Sequence, residues 1–229
     1  MGKTAVYGSD TRSWLLKRFA MGTINYWLAF VADTASALFF LVWEFLARPM
    51  HPILVATAVV GGYLIWTLTE YVFHRWVYHQ EEGIFSEGHR IHHTEAMVLI
   101  AMPWAMTTLT VFGLWHFLSQ MLKVPYFSAA LSGWLAGFVF YSVVHHSHHH
   151  WNLRNVWFRK LKAYHRIHHH FPNYNYGVTM RFWDLAFGTR YRKPLNAPIQ
   201  ALYISEPGYG ASETPAEPRE DRQLAVLKS

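Results

Sequence analysis

The 229-residue chain contains no cysteine, which excludes disulfides, thiol nucleophiles, thiolate metal sites, iron–sulfur clusters and dithiol redox motifs together. Any redox work must then fall to a bound cofactor. Charge is scarce as well. Only 15% of the residues are Asp, Glu, Lys or Arg, against about a quarter in soluble domains, while 52% are hydrophobic and 17% aromatic, with 11 Trp. Such a chain cannot hide its apolar side chains in one globular core and reads as a membrane protein. No small-residue cleavage site follows the first apolar run, which Lys3, Arg12, Lys17 and Arg18 precede, so that run is expected to stay. A net charge of +6 could serve nucleic acid, but the 20 Lys and Arg lie mostly beside hydrophobic stretches, where membrane anchoring accounts for them. Nucleic-acid binding is not expected.

Apolar stretches run over roughly 26–47, 52–73, 97–119 and 125–144, each near the ~20 residues a helix needs to cross a bilayer. Pro49 and Pro52 break the first pair, and Lys123-Val-Pro125 the second. The predicted fold is an all-α integral membrane protein, four transmembrane helices with a cytosolic histidine-rich helical cap. Under this topology 18 Lys and Arg share one side with both termini and the histidines, against only Arg48 and Lys123 on the other, so that side is cytosolic. The location is a bacterial inner membrane or the endoplasmic reticulum. Residues 1–25 read as a cytosolic segment, 26–204 as the membrane domain with its cap, and 205–229, rich in Glu, Pro, Ser and Arg, as a disordered tail. Asp33, Thr34 and Ser36 fall near the middle of the first span, where a carboxylate is costly unless it faces the bundle or water.

Against these absences stand 16 histidines. Ten fall into four clusters: His74-Arg-Trp-Val-Tyr-His79, His89-Arg-Ile-His92-His93, His145-x-x-x-His149 and His165-Arg-Ile-His168-His169. Helical residues three and four apart share a face, so each HxxHH triplet presents two or three imidazoles to one side. Neutral imidazole binds iron, zinc, copper and nickel, and without a metal so many partly buried, mutually repelling rings would be gathered for no gain. His74 and His79 are five apart, about 140° around an ideal α-helix. Either the helix loosens near 79, or the two serve different ions. Between 145 and 150 both His145/His149 and His146/His150 have four-residue spacing. His51 and His116 read as interfacial polar residues. Glu70, one turn before His74, is a candidate for holding a ligand imidazole from outside, as are His146 and His150, and Asp184 could hold an arginine or an imidazole.

With these four boxes in order, followed by Gly177-Val-Thr and Trp183-Asp-x-x-Phe-Gly-Thr189, the sequence over about 60–192 resembles the fatty acid hydroxylase / sterol desaturase superfamily of membrane di-iron oxygenases. Four residues between the histidines of the first box, where sterol desaturases typically have three, and the phrase Tyr141-x-x-x-His145-x-x-x-His149-His150 resemble its fatty acid 2-hydroxylase branch. Alignment on Tyr141 selects His145 and His149 as ligands. The nine residues separating His79 from His89 are nearer the spacing of β-carotene hydroxylases, which lack the Trp-Asp-x-x-Phe-Gly-Thr ending. The resemblance implies two iron ions, with zinc able to replace them on purification, ligated by His74, His79, His89, His92, His93, His145, His149, His165, His168 and His169. It implies O2-dependent hydroxylation of a C–H bond on a lipid, most simply an acyl chain, with carotenoid hydroxylation or lipid desaturation as alternatives. Electrons would come from a separate cytochrome b5-like or ferredoxin partner docked on the basic 154–193 surface. Trp76, Tyr141, Trp157, Phe158, Phe171 and Phe182 are candidates to line the site. Two other classes compete: a zinc-dependent membrane hydrolase, which needs only three protein ligands, and a metal transporter, which needs polar groups inside the spans.

Overall fold

The computed structural model describes residues 20–47, 51–81 and 83–192. The tail over 205–229 and all but the last residues of the 1–25 segment lie outside the described residues. Among the described residues seven α-helices follow in order: α1 Thr23–Ala47, α2 Pro52–Phe73, α3 Ile84–Thr94, α4 Trp104–Trp115, α5 Phe127–His150, α6 Val156–His170 and α7 Phe182–Ala186. Among the described residues the only β-type pairing is a single antiparallel bridge between Met21 and Ile100.

Among the described residues three helices are long and apolar enough to cross a membrane: Thr23–Ala47, Pro52–Tyr78 and Phe127–His150. Their outward faces carry Val31, Leu38, Val60 and Ile65, all more than half exposed, a surface that suits hydrocarbon and not water. The polar residues of α1 turn the other way. Asp33, Ser36 and Glu44 are buried against the bundle, and Ser36 Oγ donates to Ala32 O, as the expense of an intramembrane carboxylate requires.

The expected span over 97–119 is shorter than its apolar run. Pro103 keeps the residue before it out of the helical region, and α4 begins only at Trp104. Asn25 of α1 fixes this start: its Oδ1 accepts from Trp104 N at 3.1 Å while its amide donates to Ala101 O and Met102 O. The helix then continues as a π-helical segment, His116–Met121.

Small residues set the spacing of α2 and α5. A Cβ on Gly62 would stand 1.8 Å from Ala130 O, and one on Gly133 1.9 Å from Val59 O, so the two backbones approach to a distance only glycine allows. Phe40 of α1 packs with Val111 of α4 and with Leu131 and Leu135 of α5, and Trp115 closes edge-on against Trp43 at 5.2 Å. This bundle brings the ends of α2 and α5 together, and the histidines sit at those ends and on α3 and α6 beside them.

Candidate metal centre

α2 does not stop at His74. It widens into a π-helical turn, His74–Tyr78. Bonding five residues apart turns His79 back toward the face of His74, so the loosening expected from their spacing is present and both rings reach one group. That group holds His74, His79, His89, His93 and His168, with one nitrogen of each within 4.8 Å of all the others. Four Nε2 atoms form a closed ring, His89–His79 at 3.0 Å, His79–His168 at 3.1 Å, His168–His93 at 3.1 Å and His93–His89 at 3.0 Å. His74 Nε2 stands 3.1 Å from that of His89.

The second group holds His92, His145, His149 and His165. Nε2 separations are 3.0 Å for His145–His92 and 3.0 Å for His149–His165, and His169 adds its Nε2 at 3.1 Å from that of His165. Each HxxHH triplet is therefore divided. His89 and His93 face the first group and His92 the second, whereas His165 and His169 face the second and His168 the first. His93 and His169 stack at 4.5 Å where the groups meet.

The donor set fits metal. Nitrogens at right angles around one ion, with bonds of ~2.1 Å, stand about 3.0 Å apart, whereas tetrahedral zinc at that length would separate them by about 3.4 Å. The ring of 3.0 to 3.1 Å edges matches the first case. Burial pushes His79 and His93 down to about 4, His168 to about 3 and His169 to about 2, and holds His89, His92 and His165 well below the usual histidine range, so their lone pairs are available at neutral pH. Tautomers are set from outside. Nδ1 of His74 donates to Tyr176 O and Nδ1 of His168 to Tyr174 O at 2.7 Å, and since a carbonyl only accepts, each Nε2 is left as a lone pair facing its group.

The two carboxylates act differently from the sequence expectation. Neither Glu70 nor Asp184 reaches an imidazole or an arginine. Glu70 accepts from Val178 N at 2.7 Å, Thr179 N at 2.9 Å and the Thr179 hydroxyl. Asp184 accepts from Tyr176 N and Gly177 N, both at 2.8 Å, and from the Thr189 hydroxyl. Together they pin the loop whose carbonyls orient His74 and His168. Gly177 is required there, because a Cβ would lie 2.0 Å from Met180 O.

His146 and His150 also depart from the expectation. They belong to neither group and stack on each other at 4.4 Å, with His146 Nδ1 2.9 Å from the Tyr26 hydroxyl. Both line a cavity of about 400 Å³ between α1, α4 and α5, whose walls include Tyr26, Phe30, Asp33, Met106, Phe138 and Tyr141 and which reaches His89, His92, His145 and His149. Of the six aromatic candidates only Tyr141 lines this cavity. Trp76, Trp157 and Phe182 are exposed, Phe158 packs on His148, and Phe171 stacks on Tyr191. The wall residues Tyr26, Phe30 and Phe138, and the tyrosine carbonyls of the loop, were not legible beforehand.

The family model for fatty acid hydroxylases matches residues 59–189, which hold all four histidine boxes and the pinned loop. The chain belongs to the fatty acid hydroxylase family. A ceramide very long chain fatty acid hydroxylase of Schizosaccharomyces pombe is 34% identical over 146 residues, 58% of this chain and 42% of the relative. A dihydroceramide fatty acyl 2-hydroxylase of Arabidopsis thaliana is 32% identical over 145 residues, 59% of this chain and 61% of the relative. The solved hydroxylase domain of full-length Scs7p superposes with a TM-score of 0.63 at 26% identity, covering 78% of this chain and 70% of that one. The matched portion is thus less than two thirds of these curated relatives.

Proposed function

We propose that the chain is an O2-dependent hydroxylase of a lipid acyl chain, working with two iron ions. His74, His79, His89, His93 and His168 would hold one ion and His92, His145, His149, His165 and His169 the other. The observation that carries this reading is the meeting of two groups of neutral, converging imidazoles with a largely apolar cavity that reaches both. An alkyl C–H offers nothing to a general acid or a nucleophile, and the iron pair with O2 and electrons would supply the oxidising power. The protein does the rest. Phe30, Met106, Phe138 and Val139 would lay the chain along α5 and exclude water, presenting one carbon to the face formed by His89, His92, His145 and His149. The relatives' names include ceramide and dihydroceramide, and an N-acyl lipid oxidised beside its carbonyl is the substrate class we favour. A zinc hydrolase has no use for ten converging histidines, or for the right-angle spacing of the ring formed by His79, His89, His93 and His168.

Metal analysis and O2 uptake test the proposal together. Full chain purified after iron-replete expression is expected to carry about two metal ions and to consume O2 only with an acyl lipid and a reductant. Zinc would replace part of the iron in iron-poor cells, since it binds such sites more tightly. Lipid turnover without O2 uptake, or one ion per chain, would sink the reading.

Four spans with both termini cytosolic remain the topology we propose. Trp104–Met121 is 18 residues and about 27 Å long, close to the thickness of the hydrocarbon core. Reporter fusions at residues 50 and 124 should both report the far side of the membrane, and a cytosolic signal from either would remove a span. A separate cytochrome b5-like or ferredoxin donor would dock on the cap. There α6 buries Phe158, Leu161, Tyr164, His165 and His168 and turns the cations Arg159, Lys160 and Arg166 outward.

A further inference from the structure

Asp33 stands on the wall of the cavity, 6% exposed, and among the described residues it has no hydrogen-bond or ion-pair partner. The polar groups near it on α1 are committed elsewhere: Ser36 Oγ to Ala32 O, and the Tyr26 hydroxyl to His146. Among the described residues the cavity lining contains no Lys or Arg, and it includes the apolar Ala29, Phe30, Phe138 and Val139. A carboxyl so placed is costly to bury unless something outside the protein meets it. An empty alkyl pocket would be better served by leucine.

We propose that Asp33 reads a hydroxyl group carried by the lipid substrate, an inference that rests on the hydroxylase reading above. An amine would have to be stripped of water in an apolar pocket, whereas a hydroxyl is cheap to desolvate and both donates and accepts. Position sets where on the lipid it lies. Asp33 is seven residues along α1 from Tyr26, whose hydroxyl meets the ring of His146 next to His145, so the carboxyl sits about 10 Å deeper in the bundle than the histidine face. The hydroxyl is accordingly about that far along the lipid from the carbon presented for oxidation.

The test uses iron-loaded full chain in lipid nanodiscs, an unsubstituted N-acyl lipid, and matched lipids bearing one hydroxyl at successive chain positions. For the wild type, the best-placed hydroxyl should raise kcat/KM at least tenfold over the unsubstituted chain. It should also displace cis-parinaric acid, a fluorescent fatty acid, at a correspondingly lower concentration. Asp33→Leu should erase both advantages, bringing the best-placed hydroxylated lipid down to the level of the unsubstituted chain in the same variant. Asp33→Asn, which keeps shape and hydrogen bonding, should retain part of them, and so separates recognition from misfolding. Equal use of all the lipids by wild type, or an equal loss on plain and hydroxylated lipids in Asp33→Leu, overturns the inference and leaves the hydroxylase reading standing. Wild type that neither binds nor oxidises any of them removes both.

Discussion

Alanine at His149 is expected to abolish hydroxylation, a loss of at least about a hundredfold, and to strip one of the two proposed metal ions, whereas alanine at His150 should keep most of both. The two residues are neighbours in a run where spacing alone allows either register. Their surroundings differ completely. His149 Nε2 lies 3.0 Å from that of His165, and its ring packs at 4.6 Å on His92, within the second histidine group. His150 stacks on His146 at the cavity wall, and His146 turns its Nδ1 to the Tyr26 hydroxyl. Removing a proposed ligand takes away a donor that nothing else replaces, while removing a wall residue only reshapes the cavity proposed for the lipid. Metal per chain and hydroxylated product, measured on the same preparations, separate the two cases. Full activity in His149→Ala together with its loss in His150→Ala would shift the register by one.

What could be read in advance follows from which features are carried by side-chain type and spacing. The histidine boxes were legible because imidazole is an unusual thing to concentrate, and the five-residue gap between His74 and His79 announced a departure from α geometry that appears as a π-helical turn. The division of each HxxHH triplet between two groups could not be read, since a three-residue step places His89 and His92 on the same face and only their partners across from α3, His74 for the one and His145 for the other, separate their targets. The carbonyls of Tyr174 and Tyr176 leave no trace in residue identity. Their indirect signals are Gly177 and Asp184 of the closing motif, where residue type alone does not tell that Asp184 holds backbone amides and not an arginine or an imidazole. The apolar run over 97–119 begins before its helix does, because hydrophobicity says nothing about where Pro103 and the cap from Asn25 start the turn.

The loop carrying those carbonyls makes Glu70 the residue whose replacement should have the largest effect without touching a ligand. Glu70 is buried and holds Val178 N, Thr179 N and the Thr179 hydroxyl, and Asp184 holds the two amides just before them. Alanine there leaves buried N–H groups unpaired, each costing about 1–3 kcal/mol, and frees the segment that accepts from His74 and His168. Both of those rings belong to the first histidine group. The second group does not depend on the loop in this way, since the Nδ1 of His165 has no partner in it. Glu70→Ala should therefore weaken one metal site by about ten- to a hundredfold and leave the other, so that dialysis against a chelator takes the protein from about two ions to about one. Glu70→Gln keeps one accepting oxygen but turns an NH2 toward the donors of the loop, and should fall between. Helical content by circular dichroism should stay at the wild-type level in both. Loss of both ions at equal chelator concentration, or of neither, would mean that the loop does not set the orientation of His74 and His168.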